Sequence, residues 1–398
     1  MSLLKRLLSS DYRAAVAAEA AGDLELAAER YALAGELAAA VRVHLARAAR
    51  ADTRAAEIAA LRDALHWAAD DAAQRAEVCA RLGRALLAQA RDQGVATDRD
   101  RERVREAAAL LVDAGAYEEA GDALESIGDD AAAARAFEAG GLVERMEHAL
   151  ARDAARERRA RALADAFGEY EVHMAGGDRT AARDALRRCV EIAEDKAAYR
   201  QLLDDLDARV ITGGRVELRR RGAPRMVLAA RREVTLGRDA LCDVVLRSGG
   251  ISRTHAAIAV EGDGASRTFV LRDLGSRNGT RIGDLPIAGA VPLAGAGAFS
   301  LGDDCTLEFE VRGDPPLLAV EVVSGIDRGV ALVAGADGDE LPVPSVPAVV
   351  QFSGGSPRLR TVPSGTPLRL NDRAVALGSV ELIHRDALSI AGIELEVL

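Results

Sequence analysis

The distribution of hydrophobic and polar residues differs between the two halves of the chain. Up to about residue 205 alanine dominates and no proline occurs, since the first of the eleven prolines is Pro224. Beyond it, short runs rich in valine, leucine and isoleucine alternate with polar residues, as in 256–260 and 268–271. The first pattern favours helices, and the second favours strands with one buried face. The sequence therefore predicts an all-helical half followed by an all-β half.

A short pattern recurs within the predicted helical half. It consists of a glycine, an alanine five residues later and a large apolar residue nine residues after the glycine. Its four copies are Gly22-Ala27-Tyr31, Gly115-Ala120-Leu124, Gly128-Ala133-Phe137 and Gly177-Ala182-Leu186. A glycine can end one helix, and a small alanine lets the next helix approach its neighbour closely. The spacing resembles the second half of the tetratricopeptide (TPR) motif, which implies a TPR-like α-helical solenoid that holds a protein partner.

Three polar clusters interrupt the strand pattern of the β half. They are Gly237-Arg238, Ser252-Arg253-Thr254-His255 and Ser276-Arg277-Asn278-Gly279-Thr280. In order and spacing they resemble the forkhead-associated (FHA) domain, a family of β-sandwiches that bind phosphothreonine peptides. The resemblance covers residues 213–312 and implies that the clusters lie on loops carried by a rigid β scaffold.

The residue types in these clusters suit phosphothreonine. Its phosphate carries close to two negative charges and three acceptor oxygens, so a receptor needs a guanidinium group and short hydroxyl and amide donors. The resemblance implies that Arg238 and Ser252 hold the phosphate, that Arg253 adds charge beside it, and that Asn278 bonds the peptide backbone. Arg277 stands where the family often has a small hydroxyl residue, and we place it in the same phosphopeptide-binding set.

Four further residues of the clusters are expected to support the loops. In the family the histidine of this motif, here His255, is buried and braces the loop, so we do not expect it to act as a general base. Gly279 is expected in a turn with positive φ, which glycine adopts most easily. Gly237 and Thr280 complete this structural set.

The segment 317–398 repeats the strand pattern of the middle segment. It lacks the Gly-Arg pair, the histidine and the asparagine, and an acidic stretch, 334–340, falls where the middle segment has Gly237-Arg238. We expect a degenerate FHA-like sandwich that does not bind phosphate. The two adjacent prolines within 312–316 predict a stiff, extended linker before it, because proline fixes φ and restricts the residue that precedes it.

The predicted fold class is a multidomain α plus β protein. A helical TPR-like repeat domain spans residues 1–208, an FHA phosphothreonine-binding domain spans 213–312, and a degenerate FHA-like β-sandwich domain spans 317–398. A length of 398 residues and a hydrophobic content of 49% are sufficient for several packed cores.

Charge and composition argue against one class of partner and favour one cellular compartment. The formal net charge of -11 argues against nucleic acid, because binding its backbone needs a basic surface. The apolar stretch in residues 1–8 is too short for a signal peptide, and no run is long enough for a membrane span, so we expect a cytoplasmic protein. The four cysteines are scattered, which favours neither a metal site nor disulfides. Arginine and alanine are abundant, as is typical of GC-rich bacterial genomes.

No motif for catalysis is present. The sequence contains no Gly-x-Ser-x-Gly elbow, P-loop, His-Glu-x-x-His or kinase signature, so we expect neither an enzyme nor a bound cofactor. The leading hypothesis is a phosphothreonine-dependent adaptor or scaffold in bacterial Ser/Thr kinase signalling. Its phosphorylated partner would be a Ser/Thr kinase or a kinase substrate, with a second protein bound to the helical repeats. The alternative is a phosphate-independent structural scaffold, in which the solenoid binds the partner and the FHA folds serve assembly.

Overall fold

The computed structural model describes residues 9–68 and 71–398. The prediction that residues 1–8 are too short for a signal peptide concerns residues outside the described ranges. The described chain contains eleven α-helices and then twenty-one β-strands, and it divides into two compact units, 1–160 and 161–398. The predicted fold class, a helical part followed by a β part, is confirmed. No helix in the described ranges is both long and apolar enough to cross a membrane.

The helices are α1 (Ser10–Ala21), α2 (Leu24–Leu33), α3 (Leu37–Ala49), α4 (Arg54–Trp67), α5 (Ala72–Gln93), α6 (Asp98–Asp113), α7 (Tyr117–Ser126), α8 (Asp130–Ala139), α9 (Val143–Gly176), α10 (Arg179–Ile192) and α11 (Ala197–Asp207). Most begin after a serine, threonine or aspartate whose side chain accepts a hydrogen bond from the first turn, which stabilises the helix start. Before α6, Thr97 and Asp100 form a capping box.

The recurring glycine and alanine have the conformation and burial that the pattern predicts. In all four copies the glycine has a φ between 75° and 84° and the alanine is fully buried. A further copy is Gly35-Ala40-His44, in which Gly35 has φ 74°, Ala40 is fully buried and His44 is 5% exposed. Its third position is polar, so the sequence pattern missed it. Helices of the first unit pack mainly on their sequence neighbours, as in a solenoid, and the TPR-like assignment itself stays a prediction.

The strands are β1 (Arg215–Arg220), β2 (Arg225–Ala230), β3 (Glu233–Gly237), β4 (Val244–Val245), β5 (Ala256–Glu261), β6 (Thr268–Asp273), β7 (Thr280–Ile282), β8 (Leu285–Pro286), β9 (Val291–Leu293), β10 (Ala296–Leu301), β11 (Cys305–Arg312), β12 (Leu317–Val322), β13 (Ala331–Gly335), β14 (Glu340–Pro342), β15 (Ala348–Ser353), β16 (Ser356–Thr361), β17 (Leu368–Leu370), β18 (Arg373–Ala374), β19 (Ser379–Glu381), β20 (Ala387–Ile390) and β21 (Ile393–Val397).

Three sheets build two sandwiches. A twelve-stranded sheet has the order β18-β17-β20-β21-β1-β2-β13-β12-β11-β10-β7-β8. The five-stranded sheet β4-β3-β5-β6-β9 covers the part from β13 to β8, and together they form the first sandwich with its own core. The four-stranded sheet β14-β15-β16-β19 covers the part from β18 to β2 and forms the second sandwich around a separate core.

Each sandwich contains a hairpin from the other stretch of the chain. The β12–β13 hairpin follows the first sandwich in sequence, yet β12 pairs with β11 and Leu318 lies in the first core. The β1–β2 hairpin precedes the first sandwich, yet β1 pairs with the last strand, β21, and Val216 lies in the second core. The segments 213–312 and 317–398 are therefore interlaced, and each completes the sandwich that the other begins.

Residues 313–316 account for this exchange. They form a turn, so the prediction of a stiff, extended linker is wrong. Arg312, the last residue of β11, pairs directly with Leu317, the first residue of β12. Gly313 has φ 94°, a conformation that glycine permits, and proline is also common in turns. The chain thus folds back at once, which places β12 beside β11 and leaves β1 to pair with β21.

The second sandwich also anchors α10 and α11. The loop 382–386, between β19 and β20, lies against both helices. Ile383 packs with apolar residues of α10 and α11. Arg179, at the start of α10, donates from its Nη2 to both carboxylate oxygens of Asp386, at 3.0 and 3.2 Å. The two side chains are only 3% and 0% exposed, so this ion pair is fully enclosed.

Candidate functional site

The three motif clusters meet at one end of the first sandwich. Gly237-Arg238 end β3 and begin the next loop, while the other two clusters lie before β5 and between β6 and β7. The Arg238 amide donates to the Ser252 carbonyl at 3.0 Å, and the Arg277 amide donates to Ser252 Oγ at 2.9 Å. Asn278 Nδ2 donates to the Gly250 carbonyl at 2.8 Å. These bonds bring all five predicted phosphopeptide-binding residues, Arg238, Ser252, Arg253, Arg277 and Asn278, to one surface.

Three arginines at this surface have free guanidinium groups. The side chains of Arg238, Arg253 and Arg277 are exposed, and none makes a hydrogen bond or ion pair with a residue in 9–68 or 71–398. Other arginines of the same sandwich form ion pairs, for example Arg231 with Asp243. The motif loops therefore carry uncompensated positive charge.

The Ser252 hydroxyl has a proton available for an external acceptor. Its oxygen already accepts the Arg277 amide, and the side chain is half-buried. A hydroxyl has one proton to donate, and this proton remains available. Asn278 uses one Nδ2 proton on Gly250, which leaves its second Nδ2 proton and its Oδ1 for another chain.

His255 holds two of the loops together from inside. It is fully buried, its Nδ1 accepts the Ser252 amide at 3.0 Å, and its Nε2 lies 3.1 Å from the Gly279 carbonyl. Nδ1 is thus the acceptor, which places the single ring proton on Nε2. Burial lowers the pKa of His255, against the opposing effect of the Gly279 carbonyl. The neutral ring acts as a brace between loops.

The two motif glycines meet different constraints. A Cβ on Gly237 would lie 2.1 Å from the Arg253 carbonyl oxygen, so the backbone of the neighbouring loop occupies that space. Gly279 has φ 76° and open space around it, so its constraint is the backbone conformation alone. Both glycines fix the course of the loops that carry the arginines.

Asp273 is a supporting residue for which sequence reasoning assigned no role. Its carboxylate accepts hydrogen bonds from the Ser276 amide at 2.8 Å, from Ser276 Oγ at 2.7 Å and from Thr280 Oγ1 at 2.6 Å. Burial raises the pKa of Asp273, but the bonds from Ser276 and Thr280 outweigh it and keep the pKa below its ordinary value. An aspartate three residues before a serine at a strand end is an Asx-turn signal that could have identified it.

The second sandwich lacks the corresponding loops. β14 pairs with β15 as β3 pairs with β5, so 343–347 is the counterpart of the long segment between β3 and β5. The predicted correspondence between the acidic stretch 334–340 and Gly237-Arg238 is wrong, because that stretch leads into β14 instead of following it. Its Asp339 forms an ion pair with the buried Arg267 of the first sandwich.

A cleft of about 1070 Å³ lies on the outer face of β10 to β13. Small and apolar residues line it, together with Glu308, Glu310 and Glu321 and with Arg312. This surplus of carboxylates repels a phosphate group. An anion is therefore better accommodated at the motif loops than in this cleft.

Comparison with known proteins gives a family match for the middle of the chain. Residues 234–302 match the model of the FHA domain. The FHA domain of the CT664 protein from Chlamydia trachomatis is 29% identical and covers 24% of this chain and 93% of its own, with a TM-score of 0.19. Rv1747 FHA-1 from Mycobacterium tuberculosis is 26% identical, covering 28% and 98%, with a TM-score of 0.18. Mycobacterium tuberculosis EmbR, solved with a low affinity phosphopeptide, is 18% identical, covering 74% and 68%, with a TM-score of 0.18. No curated protein matches the chain.

Proposed function

Because residues 234–302 form an FHA domain, we propose that the first sandwich binds a phosphothreonine-containing segment of a partner protein at its motif loops. The three free guanidinium groups of Arg238, Arg253 and Arg277 carry this proposal. The chain has a net charge of -11, yet at this surface positive charge is left without a counter-ion. A phosphate group supplies that counter-ion and accepts charge-assisted hydrogen bonds.

Each residue of the site has a distinct role in this proposal. Arg238 and Ser252 hold the phosphate oxygens, the first through its fork of N–H groups and the second through its hydroxyl proton. Arg253 and Arg277 add positive charge on either side. Asn278 bonds the peptide backbone through its Oδ1 and through the Nδ2 proton that is not donated to Gly250. The protein acts as a binding module, and its chemistry is recognition without catalysis.

The test is calorimetric titration of the full chain with peptides selected from a degenerate phosphothreonine library. Arg238→Ala should weaken binding at least tenfold, since each charge-assisted hydrogen bond contributes about 1.5–3 kcal/mol. Arg312→Ala is the matched control. It removes the same charge from an exposed arginine at the end of β11, outside the three motif clusters. Equal affinity of the Arg238 variant and the wild type would contradict the proposal, as would equal binding of dephosphorylated peptides.

The second sandwich has a different role in this scheme. We propose that it does not bind phosphate and that it serves as an attachment platform for α10 and α11. The short loop 343–347 leaves no room for the phosphate motifs, whereas the loop 382–386 carries the buried contacts to Arg179. This proposal gives the second sandwich an assembly role, as the alternative hypothesis does, but within a single chain.

The proposal extends to the partner and its cellular setting. We propose that the phosphothreonine belongs to a Ser/Thr kinase or to a substrate of one, in the cytoplasm of a bacterium. The first unit, with its stacked helices, offers a surface for a second protein. Pull-down from cell extract before and after phosphatase treatment separates the two partners, because only the first should depend on phosphate.

A further inference from the structure

Residue Asp327 touches the loop that carries Ser252, although it lies outside the matched residues 234–302. It belongs to the turn between β12 and β13, in the exchanged hairpin of the first sandwich. We infer that Asp327 positions the phosphate-binding loop, so that the exchanged hairpin completes the phosphothreonine site. This inference rests on the function proposed above.

The contact between Asp327 and the loop is enclosed and uses both carboxylate oxygens. The backbone amide of Arg247 donates to Oδ2, and Arg247 Nε donates to Oδ1 at 2.9 Å. The Asp327 side chain is 1% exposed, whereas that of Arg247 is 68% exposed. The aspartate is thus fixed by its surroundings, and the bond to the amide transmits that position to the backbone of the loop.

Arg247 stands at the base of the loop that presents Ser252. The preceding amide, of Leu246, donates to the Gly237 carbonyl at 2.7 Å. Beyond Arg247, Ile251 is 2% exposed in the first core, and the Ser252 carbonyl accepts the Arg238 amide. The loop is therefore held at its base by Asp327 and at its tip by contacts to Arg238. Release of the base leaves only the contacts at the tip to fix the position of Ser252.

Because Asp327 is negatively charged, the direction in which its substitution changes phosphopeptide affinity tests the inference. A carboxylate beside an anion site repels the anion, so simple electrostatics predicts that Asp327→Asn leaves phosphopeptide affinity unchanged or raises it. Positioning predicts the opposite, because asparagine has a single acceptor oxygen and loses one of the two bonds to Arg247. The direction of the change thus separates the two effects.

The experiment compares three full-length variants with the wild type, using the tightest peptide from the phosphothreonine library. Asp327→Asn should weaken binding about tenfold, because binding must then order a loop residue that the wild type already holds in place. It should also speed hydrogen exchange at the amides of Arg247 and Ser252 in the free protein. Val330→Ala removes buried atoms from the same hairpin and should keep wild-type affinity. The double variant Arg247→Ala with Asp327→Ala removes both ions, so no charge is left unpaired, and because the Arg247 amide also loses its acceptor it should weaken binding at least as much as Asp327→Asn.

Two outcomes overturn the inference while leaving the proposed function intact. One is unchanged or tighter binding by Asp327→Asn while Arg238→Ala abolishes it. The other is an equal loss in Asp327→Asn and Val330→Ala, which reduces the role of Asp327 to general stability. Failure of the wild-type chain to bind any phosphothreonine peptide overturns both the proposed function and this inference. Should the single Asp327 variant not fold, the double variant decides by the same criteria.

Discussion

The buried ion pair between Arg179 and Asp386 should be a main support of the second unit. The Asp386 carboxylate is fully buried and accepts from Arg179, from Asn371 Nδ2 at 3.0 Å and from the Ile383 amide at 3.2 Å. Arg209 adds a contact at 3.5 Å. Arg179→Met retains most of the side-chain volume but removes the principal positive charge beside this carboxylate.

The expected loss of stability follows from these contacts. Removal of one partner of a buried ion pair costs about 3–5 kcal/mol, because the other charge stays buried without compensation. Arg209, Asn371 and the Ile383 amide remain as donors, so we expect a loss of about 3 kcal/mol, at the lower end. Arg179→Met combined with Asp386→Leu should cost less than the sum of the single changes, since neither charge is then left alone.

The assay is urea denaturation of the full chain, together with hydrogen exchange at the Ile383 amide. Arg187→Met is the control, because Arg187 lies on the same helix and its ion pair with Asp184 is exposed. Exposed pairs contribute about 0–1 kcal/mol, so this control should stay near the wild type. A loss below about 1 kcal/mol for Arg179→Met, or additive losses in the double variant, would refute the reasoning.

Three further predictions concern other parts of the chain. The free energy of unfolding should decrease as the pH falls below about 6.5, because burial lowers the pKa of His44 and His255 and the unfolded chain then binds more protons than the folded one. Denaturation at several pH values checks this, and His44→Leu should remove part of the dependence; a flat profile contradicts it. Gly237→Ala should weaken phosphopeptide binding, because its Cβ would lie 2.1 Å from a carbonyl oxygen of the neighbouring loop. Wild-type affinity in calorimetry would show that the loop shifts without harm to the site. A fragment of residues 213–312 should give the amide spectrum of an unfolded chain, whereas 225–335, which contains the first core from β2 to β13, should give a dispersed one. The reverse result would argue against the exchange.

Local patterns in the sequence predicted the features that depend on near neighbours. The glycine with positive φ and the buried alanine recur wherever the pattern predicts them, because a helix end and a close helix contact are set within about ten residues. The motif loops were also identified from short stretches of sequence. The copy at Gly35-Ala40-His44 was not predicted, because the burial of a histidine depends on the helices around it.

The exchange of hairpins could not be predicted in this way. Alternation identifies β1 and β12 as strands but does not specify which strand each pairs with. That choice depends on competition between distant segments, decided here by the turn at 313–316. Asp327 was missed for the same reason, since its contact to Arg247 spans 80 positions of sequence.

The interlaced hairpins also set an order of events during synthesis. Arg219 on β1 meets Glu396 on β21 only after 177 further residues, which takes roughly 10–35 s at about 5–20 residues per second. Until then β1 has an open edge that can pair with another nascent chain. β11 and β12, joined by their turn, can pair as soon as they leave the ribosome. The first sandwich can thus mature while the second sandwich still awaits β21.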